Sequence, residues 1–399
     1  MPPPFQKYTY QVLISQLNYQ MNLNVNDLGA SLNSEFEAFH RLYLPQLINL
    51  SLMPNFGINQ TFEAEIINFL DNEVRGQPLQ NAHDAGDKLF ENFTTITNLL
   101  MNRGEYFLTT MVWRQAISVV SKWERRRRIA VHKGTPYYFW AEAEILNGNV
   151  DFGFMLMHRA LEEDKRYWQI AGLTMPPTTP GYYFVSLNGR NATQHFLVIV
   201  RKMRRVLQKR IWSYRQTLKG KLTVRRFERK FLQNPNHEDL AFYFVYSLFL
   251  IARQRQSAKL QIVHSNIARN ILTRSLFNLT LILEQMGRSR GMGDYISDHL
   301  SKISKSRRWK ATVDRNLFFS INNQFRSNPD VIMQDFIDYN FRAPGFKGNK
   351  KLSDYAFAYG MRNYCGHGIV TIPNLLSNKF RPLTQHLFNP IFWFVENYI

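Results

Sequence analysis

The chain has one cysteine, Cys365, in 399 residues. That excludes intramolecular disulfides and any cysteine-based zinc site. Acidic residues are scarce as well: 30 Asp and Glu stand against 50 Lys and Arg, a formal charge of +20 with a pI near 10. A surplus of that size disfavours self-association and draws in polyanions, whether RNA, DNA or an anionic membrane. Long apolar runs are missing too. The most apolar one, Leu240 to Ala252, has 13 residues, against about 20 for a bilayer span, so it reads as a buried core helix. The start, Met1-Pro2-Pro3-Pro4-Phe5, lacks the basic and apolar regions of a secretion signal. The sequons at Asn92 and Asn278 therefore carry no weight, and the expectation is a cytoplasmic protein with no membrane partner. There is no Gly-rich phosphate loop, nucleophile elbow or paired-carboxylate motif, which leaves kinase, hydrolase and glycosidase chemistry without support. His158, Glu162 and Asp164 lack further ligands at useful spacing. His158 and Glu162 share a face and read as a surface ion pair, and no metal or cofactor is expected.

Helical periodicity is what the chain has in abundance. Leu42 to Leu52, Phe62 to Val74, Ala85 to Met101 and Arg103 to Arg128 place apolar residues at three-to-four spacing. The last of these ends in the basic run Arg125 to Arg128, favourable at a helix C-terminus. Thr135 to Lys165 predicts two helices joined near Asn147-Gly148-Asn149. Gly148 and Ala160, twelve apart, are the small residues expected to let the pair approach as in a tetratricopeptide-type hairpin. Met175-Pro176-Pro177-Thr178-Thr179-Pro180-Gly181 is expected to be non-helical and marks a boundary. Glu238–Arg255, Ala258–Met286, Gly293–Lys305, Pro329–Tyr339 and Leu352–Cys365 predict bundle helices, with an apolar C-terminal segment docked on them. The expected fold class is all-α: a helical N-terminal region over 1–173, a Pro/Gly linker and basic helix over 174–234, and an up-and-down bundle over 235–399.

One short motif stands out. Arg-x4-His occurs four times, at Arg127/His132, Arg190/His195, Arg362/His367 and Arg381/His386, where chance gives roughly one. The first lies in an arginine run, and the last has Pro382 directly after the arginine, which spoils a helix interior. Arg190-Asn191 follows a glycine in a turn and reads as a helix start. Only Arg362-Asn363-Tyr364-Cys365-Gly366-His367-Gly368 combines an asparagine, a preceding helical pattern and flanking glycines. Arg362 and His367 fall about 140° apart on an ideal helix, so the glycines must turn the histidine back, or a second copy must complete the pair. An arginine and a histidine around one phosphodiester suffice to cleave RNA. The histidine moves a proton and the guanidinium stabilises the charged transition state, while the 2′-hydroxyl is the nucleophile. As a bare spacing, the pair reads equally as a surface cation and a helix cap.

This segment resembles the R-N-x-x-x-H motif of the HEPN superfamily. The resemblance covers mainly the C-terminal 160 residues. It implies a helical bundle, a homodimer with a composite cleft, and metal-independent endoribonuclease activity yielding a 2′,3′-cyclic phosphate, often in toxins or antiviral defence effectors. Arg362, Asn363 and His367 would be its catalytic residues. The family often adds an acidic or polar partner on an earlier helix, for which Asn266, Asn270 and Glu284 stand open.

Residues 201–230 carry 13 Lys and Arg against one acid, Glu228, with Trp212, Tyr214 and Phe227 interleaved. Basic and aromatic groups in one stretch suit phosphate tracking and base stacking. Arg201, Lys202, Arg204, Arg205, Lys209, Arg210, Arg215, Arg225 and Arg226 are the expected nucleic-acid contacts, and RNA the expected partner. Two rival readings remain: a non-catalytic RNA- or DNA-binding scaffold, and an interaction module built on the hairpin.

Overall fold

A computed structural model describes residues 60–75, 81–102, 104–170, 172, 179–259, 266–309, 312–346, 348–366 and 375–399. The expected helix at Leu42 to Leu52 lies outside them, as do the prolines at 176 and 177 and His367. The fold is all-α, and no strand occurs among the described residues. The chain divides into two compact units. One holds residues up to Phe184 together with Gly189–Val198; the other holds Val185–Asn188 and Ile199–Ile399. The division falls within the segment expected as linker and basic helix.

In the first unit, α1 (Gln60–Val74), α2 (Asn81–Asn102) and α3 (Tyr106–Arg127) are followed by the hairpin of α4 (Gly134–Leu146) and α5 (Val150–Ile170). Helix α3 closes on Arg128 in the left-handed region, φ 55°. The hairpin turn falls at the expected Asn147–Asn149, but the small residues work differently from the expectation. Gly148 sits in the turn at φ 93°, with open space where a side chain would be. The close crossing is at Gly153 instead, where an added Cβ would meet Ile145 at 2.5 Å. Ala160 faces Gly181, not Gly148. The Pro-rich boundary is also partly corrected: Pro180 opens a short helix, α6 (Pro180–Val185). At that position its missing N–H costs nothing.

The hairpin carries two buried acids, Asp164 and Glu142. His132 Nε2 is 2.8 Å from the buried Asp164, and Asp87 lies 4.0 Å from Nδ1. Burial opposes charge on the imidazole, yet the two carboxylates raise its pKa to about 9. Glu142, fully buried, accepts a 2.7 Å hydrogen bond from Thr193 Oγ1. Desolvation pushes its carboxyl up to about 7.

Helix α7 (Gln194–Leu218) passes into the second unit and ends at Lys219, φ 54°. The basic segment expected as one run to Lys230 breaks there, because Gly220 must pack flat against Tyr214. Glu396 accepts from Tyr214 Oη at 2.9 Å and from Leu222 N at 2.8 Å, which fixes the break. A short α8 (Val224–Phe227) and one π turn (Glu228–Leu232) follow. Next come α9 (Glu238–Lys259), α10 (Asn266–Arg288), α11 (Ile296–Ser306), α12 (Arg315–Ser327), α13 (Pro329–Ile337), α14 (Lys350–Gly366) and α15 (Leu375–Tyr398).

The apolar run is the core-facing part of α9, with Ala241, Phe244, Val245, Leu248 and Ile251 essentially inaccessible. No helix among the described residues is long and apolar enough to cross a membrane. Helix α10 packs on α9, α14 and α15, and α14 also contacts α11 and α12. That packing brings the motif-bearing end of α14 against α10 and α12. Helix α12 was not expected from periodicity, although Asp314 caps it by accepting from Leu317 N at 2.9 Å.

Candidate functional site

Helix α14 is buried from Leu352 to Ala358, Ser353 and Asp354 included, and becomes partly exposed from Arg362 onward. Arg362 there donates from Nε to Glu284 Oε2 of α10 at 3.0 Å. The arginine side chain is 25% exposed and the glutamate 5%. Glu284, one of the three open candidates on that helix, is thus paired with the motif arginine. The Tyr295 ring, 5.9 Å from the guanidinium carbon, covers one of its faces. An added Cβ on Gly366 would lie 3.7 Å from Arg362 Nη1, so the guanidinium reaches along the helix to the residue before His367.

Asn363 and Tyr359 share a stripe one turn apart, and Asn322 of α12 joins them. Asn363 Nδ2 donates to Asn322 Oδ1 at 3.1 Å, and Asn322 Nδ2 donates to Tyr359 Oη at 2.9 Å. Phe318 packs on the Tyr359 ring at 4.7 Å. The Asn363 side chain is therefore oriented from α12, a partner that motif spacing alone does not disclose. Burial pushes the Cys365 thiol up to about 12, so it is a poor nucleophile at neutral pH.

The other Arg-x4-His copies have different surroundings. Arg127 is bound by Asp71 at 2.7 Å and His132 by Asp164, so that pair is split between two ion pairs. Arg190 Nη1 donates to Tyr183 Oη at 3.0 Å, while His195 Nδ1 contacts the Tyr106 hydroxyl. Arg190 and His195 are held by different tyrosines, just before and just inside the start of α7. The fourth copy behaves unexpectedly. Lys379 is non-helical (φ −119°, ψ 17°) inside α15. Pro382 therefore falls in the first turn of a restarted helix, where it is tolerated. Arg381 and His386 line one cleft.

The basic stretch separates into faces. On α7, Arg201, Lys202, Arg204, Arg205, Lys209 and Arg215 are exposed and share an arc of roughly 160° at 100° per residue. Val200, Met203, Leu207, Ile211 and Tyr214 are buried on the opposite side. Trp212 lies within the cationic arc and is 63% exposed. Arg204 is paired with Glu228 at 2.9 Å. Arg225 is exposed and Arg226 half-buried on α8. Arg210 departs from the set: it is buried, donating to Arg381 O at 2.9 Å and to Thr384 Oγ1 at 2.5 Å. Its phase, beside the buried face, ties α7 to α15.

His158 and Glu162 form a surface pair at 3.7 Å. No group of three or more metal-ligating side chains occurs among the described residues. Compared with models of known families, with curated proteins and with solved structures, the chain finds no match.

Proposed function

We propose that the C-terminal unit is a metal-independent endoribonuclease whose reacting groups are Arg362 and His367, with Asn363 positioning them. The observation that supports this most is the anchoring of Arg362. A guanidinium held by a nearly buried carboxylate, with Nη1 near Gly366, is prepared to hold a phosphate. Glu284 uses one N–H of the fork and leaves others for phosphate oxygens.

In this reading His367 takes the 2′-hydroxyl proton or protonates the leaving 5′-oxygen. Arg362 stabilises the charge that builds on the pentacoordinate phosphorus. Atoms balance without water: the 2′-oxygen bonds to phosphorus, the P–O5′ bond breaks, and the proton moves to the 5′-oxygen. A second copy of the chain would complete the cleft. Action as a toxin or antiviral effector is the biological role this chemistry fits. The test is cleavage of single-stranded RNA in EDTA, with the product ends mapped. Expected ends are 2′,3′-cyclic phosphate and 5′-hydroxyl; 5′-phosphate ends would contradict the reading.

A second reading, an RNA-binding scaffold without catalysis, is favoured by the exposed Trp212 inside the cationic arc of α7. A solvent-facing indole among cations is a stacking platform for unpaired bases. Trp212→Ala is expected to weaken single-stranded RNA binding by about 1–3 kcal/mol without changing the unfolding temperature. Filter binding across a salt series checks it. Unchanged affinity, or binding insensitive to salt, would remove α7 from the interface.

A further inference from the structure

The second unit opens a cleft of about 290 Å³ between α7, α13 and α15, close to the small end of the range for ligand pockets. Lys209 and Ser213 line it from α7, Tyr339 from the end of α13, and Arg381, His386 and Asn389 from α15. No carboxylate is among its lining residues. Lys209 and Arg381 are both exposed, and among the described residues neither forms an ion pair.

The floor of the cleft is pre-ordered. Asp354 of α14, wholly inaccessible, has Oδ1 2.6 Å from His386 Nδ1. Its Oδ2 accepts from Asn389 Nδ2 at 2.7 Å and from Tyr339 Oη at 3.2 Å. Gln385 Nε2 in turn donates to Asn389 Oδ1 at 2.8 Å. The imidazole is therefore fixed through Nδ1, and Nε2 is the nitrogen left for the cleft. Tyr339 takes a left-handed backbone, φ 55°, where α13 ends, and Asn340 N closes the last turn on Asp335 O at 2.7 Å. Desolvation raises the pKa of Asp354, opposed by its hydrogen-bond partners. A buried acid is costly unless hydrogen-bonded, and Asp354 has three such partners. Here that acid orients an imidazole beneath two cations.

We propose that this cleft binds the phosphate of a nucleotide, with Arg381 and Lys209 supplying charge and His386, oriented by Asp354, supplying a directed hydrogen bond from Nε2. The phosphate comes either from a free nucleotide or from an RNA strand on α7, since Lys209 belongs to the exposed arc and to the cleft alike. The proposal uses neither Arg362 nor His367 and does not depend on the ribonuclease reading.

Isothermal titration of the full chain with inorganic phosphate, adenosine monophosphate, and a short RNA with or without a 5′-phosphate tests it. Arg381 is exposed, and its backbone carbonyl, which receives Arg210, survives substitution. Arg381→Glu is therefore expected to fold normally and to weaken phosphate-dependent binding at least about tenfold, the change of one charged contact. If it weakens the mononucleotide and inorganic phosphate, the cleft takes free nucleotides. If it weakens only the 5′-phosphorylated RNA, the cleft takes a strand end; both outcomes support the proposal. His386→Gln should reproduce the loss, and if that variant fails to fold, Arg381→Glu still decides. No binding by any probe, or equal binding by wild type and Arg381→Glu, overturns it. His367→Ala should leave mononucleotide binding intact, which keeps a failure of the cleft distinct from a failure of the nuclease.

Discussion

Arg362→Lys is expected to lower RNA cleavage by about 100-fold or more, as for loss of a transition-state donor, while RNA binding changes little. A lysine keeps the positive charge and can still reach Glu284, but it cannot hold the carboxylate and a phosphate together in one planar fork. Arg362→Ala is a less clean test. Glu284 has a side chain only 5% exposed, and removing its partner leaves a buried charge uncompensated, at a cost approaching 3–5 kcal/mol for fully buried pairs. A double-mutant cycle with Glu284→Gln separates the two effects. If Arg362→Lys cleaves as wild type does, the guanidinium is not acting on the phosphate.

The first unit is expected to lose stability as pH rises, in two windows. Glu142 has a folded pKa of about 7 against an ordinary 4.5. The folded state thus retains a proton that the unfolded chain releases, and stability falls between those values. His132 has a folded pKa of about 9 against 6.5. Its contribution is complete below pH 6.5 and is lost as pH rises through 9. Each shift corresponds to on the order of 3 kcal/mol. Hydrogen exchange of the buried amides of α3 and α4 between pH 5 and about 9.5, corrected for intrinsic rates, reads both. Glu142→Gln should remove the lower window and His132→Asn the upper. A flat profile in wild type would contradict the charged His132–Asp164 pair.

The helices were readable where a long buried face repeats, as in α9 and α14, because one buried side per 3.6 residues is what burial imposes on a sequence. Helix α12 escaped because only Leu317, Ile321 and Phe325 are buried on it, among asparagines and serines; its capping Asp314 was the available signal. Glu284 can be placed on a helix by pattern, but its pairing with Arg362 depends on which face of α10 meets α14, which pattern does not give. Arg210 was grouped with exposed cations because the cluster was read by proximity. Its phase, roughly 180° from Arg201 at 100° per residue, sets it beside the buried face. Pro382 does interrupt the helix, with the break at Lys379, but the helix restarts around it, and that restart, which sequence does not disclose, places Arg381 and His386 on one cleft. Gly153 was overlooked in favour of Gly148 because a glycine in a turn and a glycine at a helix crossing look alike in one dimension.

The most direct measurement compares wild type with His367→Ala on single-stranded RNA in EDTA, monitoring cleavage and binding in the same samples. Wild type is expected to give cyclic-phosphate products and the variant at least a 100-fold slower reaction, on the scale of a lost general acid or base, with equal RNA affinity. Equal cleavage by both proteins, or none by either while both bind RNA tightly, would contradict the ribonuclease reading.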